Sequence, residues 1–439
     1  MSQMSSSSMA SMLRDLGGAF HWLEEEEDFH ESDQLEPSPE SCPLPAPLSF
    51  EPRTTSAAEA EQITPTNSVL RSRDIAFSLK STDSPIQRLP VELLHEIFLA
   101  CLPPLKYTPA SRKSGPLIVT WVCKSWRDIA LSLTKLWFSL ALEPRHDVFH
   151  CAYLSDARFW LARAGRRKLS LSLQIRNAAE SKRPSTQDYT TFLTVEGYMQ
   201  RCTSLELNVS LTSEQFLHIL GYSFVLTEAK FSDVYVVGRD SEPSLVEVEN
   251  LAVLQITTAS VGPIFQRLIL PQLRQLIFSD RASNPVSWIE SISLLGRSNC
   301  RLEKFSYTTQ SGSVVGGAIT EFLQHRALDD LQCLVLHDFF ISQHAIEALG
   351  PSTSRRQLLP NLTELGLSTC CSPDGELAVM LASRCPSPGT APSKGHLKSL
   401  EVALDLGPHA ADIAALNALI LGGLPVNVDV QDQPDTDLF

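Results

Sequence analysis

The sequence has no apolar run approaching the roughly 20 residues that a membrane helix needs, and residues 1–20 have neither the charged start nor the continuous apolar core of a secretory signal. It has no CxxC pair either. Its ten cysteines are scattered along 439 residues at no zinc-ligand spacing, the distribution of reduced thiols, which predicts a soluble chain of the cytoplasm and/or nucleus with no membrane partner. Catalytic motifs are missing as well: there is no GxSxG, Walker-type loop or GxGxxG, His95-Glu96 has no second histidine at zinc-protease spacing, and Gly312, Gly316 and Gly317 have no phosphate-loop lysine beside them. His337 beside Asp338 is the one pair suited to acid–base work, and at a strand end it reads as a solvated pair. No catalytic residue, cofactor or metal ligand is assigned, so the chain is not expected to be an enzyme. Lysine and arginine number 36 against 50 acidic residues, and no basic cluster falls on the folded part, which argues against nucleic acid as an electrostatic partner.

The formal net charge of −14 is unevenly placed. Residues 1–60 hold only Arg14 and Arg53 against twelve carboxylates, in a segment that runs from a serine tract through the acidic stretch 24–28 into Pro37, Pro39, Pro43, Pro45, Pro47 and Pro52. Such a composition cannot bury enough apolar surface to offset chain ordering. The expected organisation is a disordered Ser/Pro/acidic arm at 1–84, a small helical domain at 85–142, a repeat domain at 143–430 and a flexible tail at 431–439.

In the helical domain, Pro90 stands where a first helical turn tolerates a missing N–H, and Glu92 sits near the positive end of the helix dipole. Leu93, Leu94, Ile97, Phe98, Cys101 and Leu102 then recur at helical spacing until Pro103 and Pro104 end the run. A second amphipathic helix is predicted from Leu117, with Ile118, Trp121, Val122, Trp126, Ile129 and Leu133 on its apolar side. A third short element brings Leu136, Trp137 and Leu140. Three short helices cannot bury this much apolar surface among themselves, and the excess asks for a partner.

These residues, in this order, resemble an F-box of fungal type. Leu89-Pro90 opens the motif, Leu93, Leu94, Ile97 and Phe98 fill its first helix, Val122-Cys123 and Trp126 mark the second, and Leu136-Trp137 the third. The resemblance implies that these positions form a small bundle, or the surface held by the Skp-type adaptor of a cullin-RING ubiquitin ligase. The chain departs from the family in the segment 103–116, which is longer than the usual connector and carries Lys106, Arg112 and Lys113 among prolines and serines. The alternative is an amphipathic subdomain that only packs on the rest of the chain.

The second half has an internal period. A three-point apolar frame, spaced three then two, reads Cys202/Leu205/Leu207, Leu226/Ala229/Phe231, Leu251/Leu254/Ile256, Leu273/Leu276/Phe278, Leu302/Phe305/Tyr307, Leu331/Leu334/Leu336, Leu362/Leu365/Leu367 and Leu397/Leu400/Val402, with Leu169, Leu171 and Leu173 as an earlier strand. A spacing of two puts the last pair on one side of a strand. The returns carry helix-start residues: Asn284-Pro285, Ser342 and Asp374. The frame resembles the LxxLxL core of leucine-rich repeats, although only Cys370 falls on that family's Asn/Cys position. A generic α/β domain with leucine-rich strands is the competing reading.

The expected fold class is therefore α/β: a three-helix F-box followed by a curved leucine-rich-repeat-like solenoid of parallel strands with outer helices. On that fold Gln275, Ile277, Lys304, Ser306, Val335, His337 and Glu364 face outward from the strands, with Gln255 and Glu401, and form the candidate face for a protein target. Two functions compete. One is an F-box-type adaptor that binds a Skp-type partner and recruits a target for ubiquitination; the other is a protein-interaction scaffold with no ligase role.

Overall fold

A computed structural model describes residues 89–110, 115–143, 151–174, 192–194, 197–236, 244–281, 287–309, 314–315, 318–337, 340–351, 358–385, 396–404 and 409–430. The expected arm at 1–84, the tail at 431–439, Arg112, Lys113, Asn284-Pro285, Asp338, Gly312, Gly316 and Gly317 lie outside them.

The strands are β1 Ser139–Leu142, β2 Leu169–Gln174, β3 Cys202–Thr212, β4 Glu228–Tyr235, β5 Val246–Glu247, β6 Val253–Thr258, β7 Leu268–Ile269 and β8 Gln275–Asp280. They continue as β9 Lys304–Thr309, β10 Val314–Val315, β11 Cys333–His337, β12 Phe340–Ser342, β13 Glu364–Cys371, β14 Ser399–Leu404 and β15 Val426–Val430. The helices are α1 Val91–Ala100, α2 Gly115–Thr120, α3 Lys124–Ser132, α4 Cys151–Arg163, α5 Ser213–Gly221, α6 Gly262–Phe265, α7 Ser287–Ser298, α8 Ala318–Leu323, α9 Gln343–Leu349, α10 Glu376–Arg384 and α11 Ala410–Leu421.

The molecule is an α/β protein built on a thirteen-stranded sheet whose main path, β1-β2-β3-β4-β6-β8-β9-β11-β13-β14-β15, follows chain order. Every pairing along that path is parallel. Parallel neighbours need a crossover, and the helices supply it: α5 to α11 form a row in which each touches the next. Helix α5 starts on a reciprocal capping box between Thr212 and Gln215. β12 and β10 extend the sheet beside the second half of β13, while β5 and β7 pair separately.

The apolar frame sets the register. Leu205, Ala229, Leu254, Leu276, Phe305, Leu334, Leu365 and Leu400 fall in one row across the sheet, and their i+2 partners from Leu207 to Val402 in the next. All are buried, as are the leading frame residues Cys202, Leu226, Leu251, Leu273, Leu302, Leu331, Leu362 and Leu397. A one-residue slip in any strand would expose its pair, so burial pins the register. Backbone repeats in phase too. The carbonyls of Thr227, Ala252, Arg274, Glu303, Gln332 and Thr363 each accept two successive N–H groups from the following strand's start. The rows reach strands with no frame: Leu140 of β1 pairs with Leu171, and Val426 and Val428 of β15 with Leu400 and Val402.

The helical segment differs from expectation in two places. The second predicted helix is broken into α2 and α3, because Cys123 takes an extended conformation and its Sγ caps α3 by accepting from the Trp126 N–H at 3.5 Å. The third element is a 3₁₀ turn, Thr134–Leu136, that runs directly into β1 and so joins the helices to the sheet.

Candidate functional site

Two surfaces can serve a binding protein here, the helical module and the face of the sheet that the helices leave open. In the helical module burial sorts the F-box-like residues into two sets. Leu94, Phe98, Leu136 and Trp137 are buried in the chain's own core, which removes them from direct contact with any partner. Phe98 packs on Trp126 with ring centroids 4.9 Å apart, and Trp137 meets Trp160 edge-on at 5.0 Å while its Nε1–H donates to the Ala130 carbonyl at 2.8 Å. Leu89, Cys123 and Trp126 are half-buried and Pro90 is exposed.

The second set faces solvent. Leu93 is 51% exposed, Ile97 38% and Val122 58%. Trp121, read from sequence as part of an inward stripe, is 56% exposed, and Ile118 is exposed with it. Leu93 and Ile97 stand one helical turn apart on α1, so they present one apolar ridge. Scattered apolar side chains are ordinary on a surface, but large ones concentrated in a short helical unit mark an interaction surface.

The stretch 103–110 belongs to neither set, because it docks on the sheet. Its backbone runs beside β1, where the Ala141 N–H donates to the Thr108 carbonyl at 2.7 Å and the Ala110 N–H to the Ala141 carbonyl at 3.3 Å. The Ser139 hydroxyl donates to the Lys106 carbonyl at 3.0 Å and accepts from the Thr108 N–H. Beyond the edge, the Tyr107 hydroxyl hydrogen-bonds Ser204 Oγ at 2.9 Å and Lys106 pairs with Glu228. This segment therefore covers an edge strand that would otherwise offer unpaired backbone groups, and it occupies the start of the open sheet face.

On that face the structure brings all seven predicted target-facing residues together. Gln275, Lys304 and Glu364 lie in one row, with Cys333 between the last two. Ile277, Ser306 and Val335 form the next row, which continues through Gly366 to Glu401, and His337 stands in a third row beside Thr308. Glu364 is exposed, as is Glu401, and the other six of the seven are half-buried. Strand spacing puts neighbours within a row about 4.8 Å apart, so the rows make a continuous surface.

One cluster absent from the sequence reading has the donor chemistry of a metal site: ligand atoms of Asp374, His409 and Asp412 lie within 4.8 Å of one another. Hydrogen bonds account for it. Asp374 Oδ1 accepts from the N–H groups of Ala411 at 2.8 Å and Asp412 at 3.2 Å, capping α11. Asp412 Oδ1 accepts from Gly375 at 3.1 Å and Ala378 at 2.8 Å, capping α10, while Oδ2 meets His409 Nδ1 at 3.2 Å. The two helices cap each other, which corrects the expectation that Asp374 starts the helix following it. Ser342 likewise precedes α9 without a capping hydrogen bond from its side chain.

Burial also makes the interior thiols inert. It pushes Cys202 up to about 12 and Cys300 and Cys333 up to about 11, so none forms a reactive thiolate near neutral pH. Arg384, buried without a carboxylate, has its pKa lowered by desolvation to about 10 and stays charged. It donates to the carbonyls of Leu349, Leu358 and Leu359 at 2.7–3.1 Å, holding the loop before β13. No helix among the described residues is long and apolar enough to cross a membrane. No protein-family model matches the chain, and neither does any curated protein.

Proposed function

We propose that this chain is a non-catalytic F-box-type receptor: its helical module holds the Skp-type adaptor of a cullin-RING ubiquitin ligase, and the sheet face of a leucine-rich-repeat-like array holds a protein target. The observation that carries the reading is the exposure of Leu93, Ile97, Ile118, Trp121 and Val122 on a module whose Leu94, Phe98, Leu117, Leu136 and Trp137 are buried in the core. The phased frame and the repeated carbonyl contacts at the strand starts support the repeat reading. Catalysis would belong to other subunits. The receptor would act by proximity, raising the effective concentration of target lysines near a charged ubiquitin carrier.

Reconstitution tests this against the scaffold alternative. The chain is mixed with a Skp-type adaptor, a cullin-RING pair and the ubiquitin-charging enzymes, and ubiquitin attached to the chain itself is followed. A receptor held near the carrier acquires ubiquitin only when the adaptor is present. A chain that binds the adaptor and acquires none is a scaffold, and the ligase role falls.

A further inference from the structure

A hollow of about 390 Å³ lies on the open sheet face between β11 and β15. Its cause is a missing side chain. Gly366 lies in the row between Val335 and Glu401, and a Cβ there would come within 3.2 Å of Val335 Cγ1. The floor is chiefly apolar, with Val335 half-buried and Cys333 buried along it. Its polar rim has one sign of charge: Glu364 and Glu401 are both exposed, stand diagonally on neighbouring strands, and have no cationic partner among the described residues. Elsewhere on the same face Glu206 is matched by Lys230 and Glu228 by Lys106. An apolar trough ending in two unmatched carboxylates suits a side chain that is apolar along its stem and cationic at its tip.

We propose that the hollow over Gly366 receives a lysine or arginine side chain of the target, its stem lying on Val335 and its charge between Glu364 and Glu401. This rests on the reading of the sheet face as the target surface and gives that surface a specificity: a target segment with one basic residue flanked by apolar ones.

Three synthetic nonapeptides serve as probes, identical except for a central Lys, Gln or Glu between valines. Fluorescence anisotropy measures their binding to the full chain, to E364Q/E401Q and to the charge-matched control E247Q/E249Q, whose residues are also exposed but lie on and after β5. The Lys peptide is expected to bind the wild type and the control about tenfold more tightly than the Glu peptide, and the difference should shrink below about threefold in E364Q/E401Q. No Lys preference in the wild type, or a preference that survives E364Q/E401Q, overturns the proposal. Adaptor capture is measured on the same proteins and is expected to be equal in all three. Its loss from the wild type would strike the ligase reading and leave the peptide result to stand or fall alone.

Discussion

Removing the Asp412 carboxylate takes an acceptor from two N–H groups at the start of α10 and a partner from His409, all at a side chain with no solvent exposure. Asp412→Ala should therefore cost about 3 kcal/mol, while Asp374→Ala, which uncaps α11 from an exposed position, should cost about 1 kcal/mol. Equilibrium urea unfolding measures both, and equal losses would contradict the burial argument. The thiols make a second residue-scale prediction. In the unfolded chain they ionise near their ordinary value of 9.0, whereas in the folded chain Cys202 is held to about 12 and Cys300 and Cys333 to about 11. The folded state thus binds protons more tightly, so stability should fall as pH rises from about 9 toward 12. At pH 8 a thiol reagent should modify the exposed Cys101 and Cys371 well before these three, which mass spectrometry of the native protein would reveal.

At the scale of the elements, a cluster of aromatic rings fills the core behind β8 and β9. Phe305 contacts Phe278, Trp288 and Phe322 at centroid distances of 5.7, 6.1 and 4.5 Å. Phe305→Ala should cost about 3–5 kcal/mol, because rings supplied by two strands and two helices cannot all collapse into the space. The docked stretch 103–110 behaves differently, since the side chains of Lys106 and Glu228 keep 45% and 41% of their surface in solvent and their pairing is worth at most about 1 kcal/mol. Lys106→Ala/Tyr107→Ala should leave the unfolding midpoint almost unchanged yet speed hydrogen exchange at Thr108, Ala110 and Ala141. Unaltered exchange would mean the segment is held by its backbone alone. The core strands were legible in sequence because Leu, Phe and Val at a spacing of two must share a face, and the structure aligns the predicted pairs row by row. β1 and β15 were not, since four or five residues without a leading frame leucine look like the end of a helix or a tail. The broken second helix was hidden because Cys123 caps through a weak sulfur acceptor that composition does not flag.

At the scale of the molecule, one continuous sheet links a helical module with an exposed apolar ridge to a face of mixed polar residues. Which strand positions share the outward rows could be read from the spacing of the frame. The connections between the parts could not, because Tyr107 and Ser204 lie 97 positions apart and the two capping carboxylates serve helices 34 to 38 positions away. Nor could sequence separate the exposed apolar residues of the module from its core: Leu93 and Leu94 are neighbours of one type, and only the packing of α1 decides that the first is exposed and the second buried. That division is the central claim, and titration calorimetry of the full chain with a purified Skp-type adaptor tests it most directly. The wild type is expected to form a one-to-one complex, and Ile97→Glu, where a carboxylate would be desolvated in the interface, to lose at least about 100-fold in affinity with the urea midpoint unchanged. A wild type that binds no adaptor, or an Ile97→Glu protein that binds as the wild type does, would contradict that claim.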